Sequence, residues 1–302
     1  MGTPDFAVPV LKGLIEETNV ILVVSQPDKQ QGRKQVLTPT PIKKLALENN
    51  IEVYQPAKIK TDYEKIINLK PDIIITCAYG QIIPKEILDA PRLGCINVHA
   101  SLLPKLRGGA PIHKSLIEGY TKTGITIMYM DEKMDSGDII AQEEYIIKPT
   151  DNVGILHDEL SLIGKSLLLK TLPSIINKTN DRIKQNEEEV TYAYNIKREE
   201  EHLDFNNPGL KICNQVRGLN PWPLANMILN DLETKVLECT FKEAKVSQVG
   251  RIIEVTKDSI GISCQDGIVY ITKIKPFGKK IMAVKDYLNG LDKQKLLNQE
   301  VK

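Results

Sequence analysis

Short β-branched runs alternate with helical apolar spacing through the first half of the chain. Residues 20–24 (Val-Ile-Leu-Val-Val), 72–77 (Asp-Ile-Ile-Ile-Thr-Cys) and 94–98 (Gly-Cys-Ile-Asn-Val) are such runs. Continuous apolar stretches of this length suit strands buried on both faces of a parallel sheet. Helical patterns over 4–17, 41–50, 84–89 and 111–119 separate them. The alternation predicts a doubly wound α/β domain. Two further strands, near 124–130 and 139–147, flank a loop rich in Asp and Gly. A long amphipathic helix follows at about 152–172, with Asp151 or Asn152 as its N-cap. Residues 177–190 turn polar and charged, which reads as a linker. A helix near 208–217 then leads into short strands at about 224–229, 235–245, 249–256, 259–264 and 268–275. Close spacing between turn residues predicts a small β-barrel or sandwich. The expected division is a catalytic domain over 1–176, a linker over 177–197 and a second domain over 198–302.

Composition narrows the class. The 302 residues carry 40 Lys+Arg against 39 Asp+Glu, a net charge of +1, and 41% are hydrophobic. That hydrophobic content supports real cores and excludes wholesale disorder. The charge is uneven: residues 196–302 hold 17 basic and 14 acidic side chains, leaving a net of −2 in the rest. Lys273, Lys275, Lys279, Lys280 and Lys285 fall where no acid occurs between Asp266 and Asp286. Such a block can meet phosphates, or it can be a solvated turn. No apolar run reaches the roughly 18–20 residues of a membrane span. The chain opens without a secretory leader pattern, so a cytoplasmic protein is expected. Cys77, Cys95, Cys213, Cys239 and Cys264 are scattered and form no C-x-x-C. They read as buried free thiols, not disulfides or a metal site.

Chemistry concentrates in residues 94–111. Asn97 and His99 lie two apart on a strand, so they share one face at its carboxyl end. An amide there can donate to a developing oxyanion, and an imidazole can move a proton. Taken alone, a His on a strand is more often structural. A second loop, Asp131-Glu-Lys-Met-Asp135-Ser-Gly-Asp138, offers three carboxylates to hold the imidazole. Spacing does not choose among Asp131, Asp135 and Asp138. Ser101 lacks a G-x-S-x-G context for a nucleophile. Gly2-Thr3-Pro4 lacks the three-glycine phosphate fingerprint, so a nicotinamide cofactor is not expected.

Together these residues resemble the folate-dependent formyltransferases. Asn97-x-His99, then Ser101-Leu102-Leu103-Pro104, then Asp135, look like that family's catalytic signature. Three more segments are similar to its branch acting on charged initiator tRNA: Gly2-Thr3-Pro4-Asp5-Phe6-Ala7, Gln26-Pro27-Asp28 through Gly32-Arg33 to Lys43, and Arg217 to Pro223. The resemblance covers essentially the whole chain. It implies a Rossmann-like catalytic domain and a small C-terminal OB-like barrel domain. The implied reaction moves the formyl group of 10-formyltetrahydrofolate to the α-amino group of methionyl initiator tRNA, for translation initiation. By resemblance, Asn97, His99 and Asp135 are catalytic, and Ser101, Leu102, Leu103 and Pro104 line the folate pocket. Arg33, Lys34, Lys279 and Lys280 would meet the tRNA. Neither a metal nor a covalent enzyme intermediate is implied, and a monomer is expected. Trp222 reads better as a packing residue between prolines than as a base stacker.

The family normally carries a short strand directly before the Gly-Thr-Pro turn, and Met1 stands at its last position. That central strand is expected to be missing here, with a true start upstream. An intact native mass of 33.9 kDa would refute the upstream start. Two rival functions remain at this level: a formyltransferase for an amino-sugar nucleotide, and a catalytically impaired tRNA- or folate-binding protein.

Overall fold

The structure is a computed structural model that describes residues 1–32 and 35–301. Its elements begin with α1 (Val8–Glu17), β1 (Val23–Val24), β2 (Lys29–Gln31), β3 (Val36–Thr38), α2 (Pro41–Glu48), β4 (Val53–Tyr54) and α3 (Glu64–Asn68). Then come β5 (Ile74–Thr76), α4 (Lys85–Leu88), β6 (Cys95–His99), α5 (Pro111–Ile117), β7 (Lys122–Tyr129), β8 (Ile139–Ile146) and α6 (Val153–Ile176). After α7 (Gly209–Gly218) follow β9 (Ala225–Leu229), β10 (Leu232–Glu243), β11 (Ile252–Val255), β12 (Ile260–Cys264), β13 (Gly267–Pro276), β14 (Met282–Ala283) and α8 (Val284–Tyr287). The chain forms two compact units. One comprises residues 1–111, 122–146 and 157–194; the other comprises 112–121, 147–156 and 195–302.

In the first unit, β1 pairs in parallel with β4, and β5 in parallel with β6. The sheet then turns antiparallel through β7 and β8. β6 is almost wholly buried, as its apolar run predicts. Thr40 caps α2 by accepting from Lys43 N at 3.3 Å, and Pro41 takes the first helical position. The hairpin β2–β3 has no alternating apolar period: Lys29 and Gln30 are polar and exposed, and Val36 and Leu37, adjacent in β3, are both exposed. Asp28 holds its base: Lys43 Nζ reaches its carboxylate at 2.6 Å and Gln55 Nε2 at 2.7 Å. The Gln55 hydrogen bond, and then Lys43, hold the Asp28 carboxyl below the usual carboxylate range.

Met1 and Gly2 lie between the β1 and β5 ladders. Gly2 N donates to Val24 O, and Cys77 N donates to Met1 O, both at 2.9 Å. A trench of about 550 Å³ beside them is lined by apolar residues including Val10, Leu14, Val23, Ile75, Leu172 and Ile176.

In the second unit, one antiparallel sheet runs β11-β12-β13-β10-β9, with β14 on β13. Helix α7 packs closely on it, because Gly209 faces Phe241. A Cβ at Gly209 would lie 2.0 Å from that ring. The five cysteines are free thiols: Cys77, Cys95 and Cys264 are buried, while Cys213 and Cys239 are half-buried with their sulfurs 3.3 Å apart. Among the described residues, no helix is long and apolar enough to cross a membrane.

Core truncation is expected to be costly. Ile127 on β7 is fully buried. Ile127→Ala is expected to destabilise the chain by about 2–5 kcal/mol, read as a lower urea midpoint at unchanged slope.

Candidate active site

β6 carries Asn97 and His99 to the edge of a loop that begins at Ala100. Parallel pairing with β5 sets Asn97 opposite Thr76, and Thr76 Oγ1 lies 2.9 Å from Asn97 Oδ1. With its carbonyl oxygen taken, the amide turns Nδ2 toward Asp135, donating to Oδ1 at 3.4 Å. An amide nitrogen has two hydrogens, so one stays free for another acceptor.

His99 is 5% exposed. Its Nε2 lies 3.1 Å from Leu106 O, and its Nδ1 lies 3.6 Å from Asp135 Oδ1. A carbonyl oxygen only accepts, so the neutral ring keeps its hydrogen on Nε2. Nδ1 is then the basic nitrogen. That nitrogen faces the Asp135 carboxylate. Asp135 is itself anchored, because Gly108 N donates to its Oδ2 at 2.8 Å. Asp135 adopts φ +50°, a left-handed turn that aims its side chain back at β6. Gly137 completes the turn, since a Cβ there would lie 2.0 Å from Tyr129 O.

The other two carboxylates of this loop face elsewhere. Asp131 accepts from Ser136 Oγ and Lys133 N within its own turn. Asp138 pairs with Arg182 at 2.9 Å. Among the described residues, no group of His, Cys, Asp and Glu is arranged to hold a metal ion.

Residues 1–172 match the family signature described as formyl transferase, and residues 195–292 match its C-terminal domain. A methionyl-tRNA formyltransferase of Staphylococcus epidermidis is 49% identical over 96% of this chain and 95% of its own length. One from Bacillus subtilis is 50% identical over 96% of this chain and 93% of its own length. The chain belongs to the formyl transferase family, on its methionyl-tRNA formyltransferase branch. A solved N-formyltransferase of Helicobacter canadensis, in complex with folinic acid and dTDP-3-aminofucose, shares the fold. Its TM-score is 0.69 at 23% identity, covering 91% of this chain and 97% of that one.

Ser101 is buried, with Oγ donating to Lys105 O at 2.6 Å. Leu103 is buried with Met128 and Ile139. Its backbone is held by Thr126 Oγ1 at 3.1 Å and Gln142 Nε2 at 2.9 Å. Leu102 and Pro104 are half-buried and give the loop its partly open face. Arg33 and Lys34 lie outside the described residues. Lys279 and Lys280 are exposed at the β13–β14 turn, with Lys279 Nζ 5.8 Å from the Tyr287 ring centre. In the second unit, Trp222 is 43% exposed and meets His113 edge-on, with ring centres 6.2 Å apart.

Thr76, Thr126 and Gln142 escaped sequence reasoning. Each acts on a partner 16 to 39 residues away. A threonine or glutamine alone carries no chemical signature. The strand pairing that would have pointed to them is not written in local periodicity.

Proposed function

We propose that this formyl transferase moves the formyl group of 10-formyltetrahydrofolate to the α-amino group of methionyl initiator tRNA, for translation initiation. The observation that carries this reading is the shared grip of Asp135 on both Asn97 and His99. The half-identity to curated methionyl-tRNA formyltransferases supports the substrate.

The amine of an aminoacyl ester titrates near or below the roughly 7.7–8.0 of a free α-amine, so much of it is neutral at pH 7. Its lone pair attacks the formyl carbon. Asn97 Nδ2 uses its free hydrogen to donate to the formyl oxygen as that atom gains charge. His99 Nδ1 takes the proton shed by the amine, and Asp135 holds the resulting imidazolium. The bond from carbon to the folate nitrogen then breaks, and that nitrogen regains a proton from His99. Formyl-methionyl ester and tetrahydrofolate leave. The Ser101–Pro104 loop borders the folate, with Leu102 and Pro104 as its apolar contacts. Residues 1–176 act as the catalytic domain and 198–302 as the tRNA-holding domain. The chain works as a cytoplasmic monomer.

Arg33 and Lys34 approach the tRNA acceptor end, while Lys279 and Lys280 add sequence-independent attraction to its phosphates. Changing Lys279 and Lys280 together to Ala is expected to weaken tRNA binding across sequences. The dependence of log affinity on log salt should flatten by about one unit per lost phosphate contact. Filter binding at several salt concentrations measures this, and an unchanged slope would remove both lysines from the interface.

An amino-sugar nucleotide is the competing acceptor. It is favoured by fold likeness alone, at 22–23% identity to sugar N-formyltransferases. Purified protein is expected to formylate charged initiator tRNA and to leave a dTDP-amino sugar untouched. Formylation of the sugar alone would reverse the assignment.

A further inference from the structure

Both catalytic loops are gripped by one segment that carries no catalytic group. Ile183 exchanges two backbone hydrogen bonds with Ile139, at 2.8 and 2.9 Å. Thr191 then takes the other loop: its O accepts from Arg107 N and its Oγ1 accepts from Leu106 N, both at 2.9 Å. Ala193 N donates to Arg107 O at 2.7 Å. Between these anchors stands Gln185. Its Nε2 donates to Asp135 O and to Gly137 O, each at 2.8 Å. Its Oε1 accepts from Arg107 Nε at 3.0 Å. Arg107 is 3% exposed and completes its guanidinium on Glu187, with Nη2 2.8 Å from Oε1.

We propose that Gln185 is a positioning residue for formyl transfer, setting the distance of the Asp135 carboxylate from His99 and Asn97. The inference rests on the catalytic reading of Asp135 given above. The chemistry of the side chain fits the task. Only a primary amide offers two donors to a pair of carbonyls and an acceptor to a guanidinium at once. Arg107 sits between Leu106, whose carbonyl orients His99, and Gly108, whose N–H holds Asp135. Beside the direct Gly108 N–Asp135 bond, that amide gives the loop that orients the base a second tie to the loop that carries its carboxylate. Asp135 lies in a left-handed turn, so its place depends on outside anchors more than on its own backbone preference.

Gln185→Ala is expected to lower kcat by about 10- to 100-fold, the scale of an ångström-sized misplacement of a reacting group. KM for charged initiator tRNA and for the formyl donor should stay within about twofold, because neither substrate's binding contacts are removed. In an Asp135→Ala background the same change is expected to add almost nothing, since Gln185 acts through that carboxylate. A merely structural role would instead multiply the two losses. Gln185→Glu provides a second variant that keeps the acceptor for Arg107 and loses both donors; its kcat should fall as far as in Gln185→Ala. Wild-type kcat in either single variant, or full multiplication in the double variant, overturns the proposal. Wild-type kcat in Asp135→Ala would instead overturn the catalytic reading itself.

Discussion

His99→Ala is expected to lower kcat by about 10²–10⁴-fold, the usual share of general acid–base catalysis. Affinity for charged initiator tRNA should change little, because the ring is buried and turned toward Leu106 O and Asp135. The two ring nitrogens have different tasks, so a second variant separates them. Gln at position 99 can still donate to Leu106 O through its amide, which preserves the loop. It has no basic nitrogen to face Asp135. His99→Gln is therefore expected to fold with a near-native melting temperature and to lose turnover as fully as His99→Ala. Single-turnover formylation of charged tRNA measures the loss without interference from product release. Near-native turnover in His99→Gln would mean that the imidazole only braces the loop.

Asn97→Ala removes the amide proposed as donor to the formyl oxygen, a change expected to cost about 2.7–4 kcal/mol, or 10²–10³ in kcat. The effect should appear in kcat, because the oxygen demands the donor most as it becomes charged. Asn97→Asp is the sharper probe. It keeps the shape but sets a carboxylate where Nδ2 now lies 3.4 Å from Asp135 Oδ1. Two like charges would then share one small site. The expected loss is at least that of Asn97→Ala, with some loss of stability as well. An Asn97→Asp protein of wild-type rate would exclude the amide as the oxyanion donor.

Much of this site was visible in the chain. Asn97 and His99 stand two apart in a run of buried apolar residues. The pleat of a strand then puts both on one face, and β6 does so. The three carboxylates of 131–138 could not be ranked from composition. Asp131 and Asp138 look equally able to reach a histidine, but the first is consumed by its own turn and the second by Arg182. The hairpin β2–β3 was missed for the opposite reason. The Asp28–Lys43–Gln55 cluster stands at its base, and the adjacent, exposed Val36 and Leu37 leave no alternating hydrophobic period.

The sequence by itself determined the alternation of strands and helices, the strand that carries Asn97 and His99 on one face, and the family. These follow from local chemistry: apolar period, β-branching, turn residues and a short motif. Asp135 stood out among three carboxylates by family resemblance alone; only the tertiary structure decided the geometry by which it meets His99, which imidazole nitrogen faces it, and what holds the two loops together. Residues 183–193 read as connector because they are polar and carry no period. Folded, they hydrogen-bond to residues 44 to 86 positions away, through the backbone of Ile183, Thr191 and Ala193 and the side chains of Gln185, Glu187 and Thr191. Every residue owns those backbone groups, so no side-chain pattern announces which of them will meet.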